Sequence, residues 1–328
     1  MAKRRLTIQQ HRRIADKQRK TTLALDSDGD RDGLEGLVIT RFGTQAAVLP
    51  PDFLPGDKPQ RCHIRAAVND LVTGDRVIWR PGSPTGVVEA RLDRTSLISR
   101  PASRGNLRPV AANLNRIAVV IAPEPEPHPN LIDRYLVAAE HEGIRPLLIL
   151  NKVDLLQPVD TTIDEVLADY RALGYDILRV SAQAGIGLAE MRAYFARHTT
   201  VLVGQSGVGK SSLVNLLYPD ALALIGELSA QMGKGRHTTT AATLYRLPGG
   251  GQLIDSPGIR EFGLGHLDRR AIAEGFIEFR PFLGTCRFRD CNHDHEPGCA
   301  ILEALARHAI SPRRFSSYQL IVRGAGEG

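Results

Sequence analysis

Val201 to Ser212 reads VLVGQSGVGKSS, a GxxxxGKS pattern that follows an apolar run and opens a helix-forming one. Glycines at 204, 207 and 209 let the backbone turn tightly, so that successive N–H groups aim at phosphate oxygens and the helix dipole adds to them. The phosphate cradle would comprise Gly204, Gln205, Ser206, Gly207, Val208, Gly209, Lys210, Ser211 and Ser212. Lys210 would carry its charge to the β and γ phosphates as a catalytic group, and the Ser211 hydroxyl would ligate Mg²⁺. The motif specifies a nucleoside triphosphate and leaves the base open.

The base is indicated by an earlier segment. The run PLLIL leads into Asn151, Lys152, Val153 and Asp154, an NKxD at the carboxyl end of an expected strand. The Asp154 carboxylate can accept from guanine N1–H and the exocyclic amine; against adenine it would be desolvated without donors, a penalty of about 1 to 3 kcal/mol. Asn151 and Lys152 would brace the loops and pack the base. After YDILRV, Ser181 and Ala182 offer a backbone N–H to guanine O6. Asp255-Ser256-Pro257-Gly258 is a DxxG, in which Asp255 would hold Mg²⁺ through water and the Gly258 N–H would sense the γ-phosphate. Gly233 to Thr240, GKGRHTTT, offers hydroxyls for a further Mg²⁺ ligand, with Thr239 chosen over Thr238 and Thr240. Ile259 follows the DxxG glycine, where signalling GTPases have a water-orienting glutamine. His237 is the polar group expected to serve hydrolysis instead.

A second constellation lies in CRFRDCNHDHEPGC. Cys286, Cys291 and Cys299 with His293, or with His295 as its competitor, can close a tetrahedral zinc site with no open position. Cys62 stands apart in a strand and is expected to be a small core residue.

These loops need a scaffold. From Arg116 onward, apolar strands alternate with amphipathic helices, which predicts a mostly parallel sheet covered on both faces, with ligands outside the carboxyl ends of its strands. From Leu34 to about Arg94, the short segments GLVITRF, QAAVLP, RCHIRAAV, DRVIWRP and TGVVEARL predict a small barrel or sandwich. Its aromatic supply is thin, and Trp79 is expected in its core. The tail from about Leu267 is α-rich. With 328 residues, 42% apolar and 24% charged, the chain can bury several cores and is not a disordered polymer. No apolar run reaches the ~20 residues of a membrane helix and the first twenty residues hold no apolar stretch, so a cytoplasmic protein is expected. Residues 1 to 20 carry eight basic side chains against Asp16, while the remainder holds 34 basic and 35 acidic. Such an arm suits an anionic polymer.

In an ordinary GTPase the phosphate loop comes first and NKxD and SA last; here NKVD and SAQ precede the phosphate loop and DSPG follows it, so the G domain is circularly permuted. The composite of small β domain, NKVD, SAQ, GQSGVGKSS, GRHTTT, DSPGIREFG and Cys/His cluster resembles the ribosome small subunit-dependent GTPase A family over nearly the whole chain. Residues 1–33, by their charge and the polar run Asp26–Asp32, would be basic arm and linker. The resemblance implies three domains: 34–103 would be an OB-like barrel, 104–264 the permuted GTPase domain, and 265–328 a zinc-binding domain. It favours His293 through the spacing Cys-x4-Cys-x-His-x5-Cys, with one Zn²⁺ per chain beside GTP and Mg²⁺. It also implies that a monomer binds the small ribosomal subunit and its rRNA late in maturation, beside other assembly factors and without a membrane, and couples GTP hydrolysis to checking and release. Two rivals are a metabolic P-loop phosphotransferase with a structural zinc segment, which NKVD disfavours, and a non-hydrolysing adaptor, which Lys210, Ser211 and Asp255 disfavour.

Overall fold

A computed structural model describes residues 33–68, 70–101, 107–127, 129–157, 161–219, 242–256, 264 and 267–325. The basic arm, His237, Thr238, Thr239, Thr240 and Gly258 lie outside the described residues.

The five expected N-terminal strands form: β1 (Leu34–Phe42), β2 (Gln45–Leu49), β3 (Gln60–Ile64), β4 (Arg76–Arg80) and β5 (Gly86–Arg91). They close into a barrel, because β1 pairs with both β2 and β4. All pairings around the ring are antiparallel except β3 with β5, the connectivity of an OB-fold. Val38, Ala46, Val48, Cys62, Val77, Trp79 and Val88 fill its interior, so Trp79 and Cys62 are core residues as expected.

β1 is apolar on both faces because it serves two cores. Val38 points into the barrel, while Leu37 and Ile39 join the core of the neighbouring α/β unit. A short pairing of Thr40 with Thr243 carries the sheet from β1 into β12 (Thr243–Arg246), so barrel and α/β unit share one eleven-stranded sheet. A two-stranded hairpin, β6 (Leu97–Pro101) and β7 (Leu107–Ala112), contributes Ile98 and Ala111 to the same core. The boundary expected at residues 103/104 falls between its two strands.

The α/β unit has five parallel strands in the order β10 (Asp176–Arg179), β9 (Arg145–Leu150), β8 (Arg116–Ile121), β11 (Thr199–Val203) and β13 (Gln252–Asp255). Antiparallel β12 extends the sheet beyond β13. Alternate residues of these apolar strands face opposite layers. Ile117, Val119, Ile121, Leu148 and Leu150 meet α1 (Pro129–His141) and α2 (Thr161–Ala172); Ala118, Val120, Leu147, Ile149 and Leu202 meet α3 (Leu188–Phe195) and α4 (Lys210–Leu217).

The C-terminal helices α5 (Arg269–Gly275), α6 (Ala300–Ala306) and α7 (Pro312–Ala325) surround a third core, which takes in Val137 and Ala138 of α1. The seam with the α/β unit is also polar. Buried Arg314 pairs with Asp133 of α1 and, through Nε at 2.6 Å and Nη2 at 2.9 Å, with Glu278. The Tyr170 hydroxyl donates to Asp133 at 2.6 Å, and burial, then the Asp133 charge, push that phenol far above its usual range, which keeps it a donor.

Candidate functional site

All five parallel strands end on one edge of the sheet, and three of the candidate loops leave from neighbouring positions there. The phosphate loop follows β11, NKVD follows β9 and Ser181 lies just beyond β10. The chain leaves β11 through Gly204 at φ +136°, where a Cβ would lie 2.2 Å from the Val120 carbonyl oxygen. It enters α4 through Gly209 at φ +93°, where a Cβ would lie 2.3 Å from Asn151 Nδ2. Neither position admits a side chain, which is the close approach that a phosphate cradle requires. Lys210 opens α4 and donates from Nζ to the Gly204 carbonyl at 2.8 Å and to that of Gln205. Its ammonium is therefore drawn back over the start of the loop.

Asn151 joins two loops. It is 1% exposed; Nδ2 donates to the Val208 carbonyl at 2.9 Å, and Oδ1 accepts from the Ala182 amide at 3.2 Å. One side chain thus ties the phosphate loop to the loop after β10. Lys152, in the left-handed region at φ +60°, donates from Nζ to the Glu124 carbonyl at 2.7 Å. The 3₁₀ turn Val153–Leu155 leaves Asp154 exposed, and the Val153 amide donates to Val180 O. Asp154, Lys152, Ser181, Ala182, Gln183 and Gly209 border a cleft of about 250 Å³. A carboxylate therefore stands across from loop amides, beside the phosphate cradle, with dimensions suited to a flat base.

The Ser181 amide donates to the Ile186 carbonyl, and the Ser181 hydroxyl accepts from Ala184 N. Ala182 N–H, the amide expected to meet guanine O6, is held by Asn151 at the long end of hydrogen-bond distance and would be shared with a base. Gln183, one residue further, has no partner for its amide among the described residues. Asp255 ends β13 one residue past Ile254, which pairs with Val201 of β11, so it stands next to the strand that delivers the phosphate loop. Ser211 lies in the first turn of α4, which follows the phosphate loop, and Asp255 ends the strand beside β11; a hydroxyl and a carboxylate are a donor set that fits a hard, oxygen-preferring ion such as Mg²⁺.

One wall of the site carried no sequence expectation. Residues 122–127, APEPEP, follow β8; Glu124 receives Lys152, Pro125 lies against Gly207, and Glu124–Pro125 is cis. The clustered prolines were the available signal, since they fix a loop without needing donors.

In the C-terminal region, the ligand atoms of Cys286, Cys291, His293 and Cys299 lie within 4.8 Å of one another. His293 Nδ1 is 3.6 Å from Cys286 Sγ and 3.4 Å from Cys299 Sγ. Bond lengths of about 2.3 Å to sulfur and 2.0 to 2.1 Å to nitrogen at a tetrahedral zinc imply about 3.6 Å between such atoms, so the cluster fits the ion. His295 is 86% exposed, pairs with Asp294 and lies outside this group of four. Glu296, not anticipated from sequence, accepts from the backbone N–H groups of Asp294, Asn292 and His295, and these donors hold its carboxyl at about 2.

The family model described as RsgA GTPase matches residues 91–265. The small ribosomal subunit biogenesis GTPase RsgA of Azotobacter vinelandii is 53% identical over 100% of this chain and 99% of its own, and that of Pseudomonas aeruginosa is 52% identical over the same shares. Among solved structures, YjeQ from Thermotoga maritima superposes with a TM-score of 0.73 at 28% identity, covering 89% of this chain and 98% of its own. YloQ, described as a circularly permuted GTPase, gives 0.70 at 27% identity over 91% and 97%.

Proposed function

The chain belongs to the RsgA GTPase family, and from that premise we propose that it hydrolyses GTP in the biogenesis of the small ribosomal subunit, binding subunit rRNA and using hydrolysis to time its release. The observation that carries the nucleotide reading is the Asn151 bridge, which unites the phosphate loop and the loop after β10 around a cleft flanked by Asp154. In this reading Asn151, Lys152, Val153, Asp154, Ser181 and Ala182 hold guanine. Gly204 to Ser212 and Gly258 hold the phosphates, and Ser211, Thr239 and Asp255 hold Mg²⁺, which screens phosphate charge when bound. Lys210 supplies a fixed positive charge at the phosphates, and His237 orients water.

Cys286, Cys291, His293 and Cys299 hold one Zn²⁺ and give residues 265–328 their fold. The other units are the arm and linker of residues 1–33, the barrel of 34–103 and the GTPase domain of 104–264. The eight basic residues of the arm neutralise rRNA phosphates. The protein acts as a monomer in the cytoplasm beside other assembly factors; among the described residues no helix is long and apolar enough to cross a membrane. Sedimentation of the protein with purified small subunits tests the timing role. The protein should pellet with a non-hydrolysable GTP analogue and stay in the supernatant with GDP, and nucleotide-independent pelleting contradicts the role. His237→Ala should retain GTP binding and lose subunit-stimulated turnover; wild-type turnover by that variant would remove His237 from catalysis.

A further inference from the structure

A second polar cleft, of about 390 Å³, lies where the barrel, the β6–β7 hairpin and the ends of β12 and β13 meet. Its wall includes Arg41, Arg100, Arg108, Thr73, Ser256 and Asp70. Arg100 and Arg108 are direct partners in the hairpin register, so their side chains rise on the same face. Like charges placed directly opposite in an antiparallel pair are destabilising. Among the described residues neither guanidinium has a carboxylate or hydrogen-bond partner. The third arginine is fixed in place: Arg41 donates from Nη1 to the Leu71 carbonyl at 2.6 Å and from Nε to the Gly43 carbonyl at 3.0 Å. Ser256 is 7% exposed, and its Oγ has no partner among the described residues. A buried hydroxyl in that state is costly unless something supplies its hydrogen bond. Asp70 brings one carboxylate to the wall against three guanidinium groups.

We propose that this cleft binds a phosphate group, borne by an RNA backbone or by a phosphorylated small molecule. Both sources present the same tetrahedral anion. Such an anion between Arg100 and Arg108 turns their repulsion into two charge-assisted hydrogen bonds, and its remaining oxygens accept from Arg41 and the Ser256 hydroxyl. The cleft is separate from the cradle after β11, so the proposal does not depend on the GTP reading. Ser256 belongs to the DSPG motif, and Ala242, held to Thr73 Oγ1 by a 2.8 Å hydrogen bond, lies two residues after Thr240. An occupant therefore lies against residues that adjoin both the DSPG loop, expected to sense the γ-phosphate, and the GKGRHTTT segment, expected to supply a Mg²⁺ ligand.

The test uses the full chain loaded with one equivalent of GDP, so that the phosphate loop is filled, and titrates it with pyrophosphate and with a ten-nucleotide single-stranded RNA at several salt concentrations. The proposal expects at least one probe to bind wild type about tenfold more tightly than Arg100→Gln/Arg108→Gln. If RNA is the source, the salt slope of that variant should fall by about 0.7 for the one phosphate it no longer neutralises. Response to pyrophosphate alone assigns a small molecule; response to RNA alone assigns the backbone. Arg108→Glu guards against misfolding, since it creates an opposite-charge pair with Arg100 and should raise the melting temperature while abolishing the added binding. Equal affinity of wild type and Arg108→Glu for both probes, or no binding of either probe by wild type, overturns the proposal.

Discussion

Replacing Asn151 with alanine should weaken guanine nucleotide binding and destabilise the fold at the same time. The side chain is 1% exposed and makes two hydrogen bonds between loops, to Val208 O at 2.9 Å and from Ala182 N at 3.2 Å. Val208 is buried, so its carbonyl would lose its partner without recovering water, at about 1 to 3 kcal/mol. Ala182 is half-buried, and water can replace part of what its amide loses. The total is about 2 to 4 kcal/mol, divided between global stability and the cost of ordering the two loops around a nucleotide. An affinity share of about 2 kcal/mol corresponds to a roughly 30-fold rise in Kd. Fluorescent-GDP titration and urea unfolding measure the two shares separately. Gly209→Ala supplies the coupled test, because its new Cβ would meet Asn151 Nδ2 at 2.3 Å, so the double variant should lose less than the sum of the singles. A Kd within about threefold of wild type in Asn151→Ala, or strict additivity in the cycle, would refute the bridging role.

Asp154→Asn should lose GTP affinity and gain affinity for xanthosine triphosphate, measured by competition; equal competition by ATP and GTP against wild type removes the guanine assignment. Cys286→Ser should abolish the zinc found by elemental analysis and loosen the C-terminal region, because metal ligation in such modules is worth about 10 to 16 kcal/mol of folding energy, while GDP binding persists; an absence of zinc in freshly purified wild type would refute the site. Glu296 is held at about 2 against an ordinary 4.5 by backbone donors, so its stabilising contribution is present above pH 4.5 and is lost as pH falls toward 2. The stability gap between wild type and Glu296→Gln should close across that window, and a pH-independent gap contradicts the assignment. Arg314→Ala strands the buried carboxylates of Asp133 and Glu278 and should cost about 3 to 5 kcal/mol in urea unfolding; a loss below about 1 kcal/mol would show the cluster to be unimportant.

The legible parts of this chain are those in which one residue type is forced by local chemistry. The phosphate loop was readable because the close approaches at Gly204 and Gly209 exclude any Cβ, and the barrel strands because their apolar residues recur between Gly, Pro and Asp punctuation. The zinc cluster was readable because its four ligands are close in sequence. The β6–β7 hairpin was missed since SRPASRGNLRP reads as linker: Arg100, Arg108 and Pro109 line a cleft, and the residues that serve a core, Ile98, Val110 and Ala111, lie outside that stretch. β12 is four residues long and offers no period to read. The Arg314 cluster escaped because its partners lie 181 and 36 residues away, a distance that no local pattern encodes. Glu296 escaped for another reason: its role is to accept backbone donors, and any loop carboxylate presents the same letter.

The central claim is that one cleft binds GTP and that its hydrolysis answers to the small ribosomal subunit. Steady-state phosphate release from GTP, with Mg²⁺ and with purified small or large subunits added in turn, tests it most directly. The account predicts slow turnover by the protein alone, strong acceleration by small subunits, and none by large ones. A rate that is the same with and without small subunits, or that is matched by ATP, would contradict it.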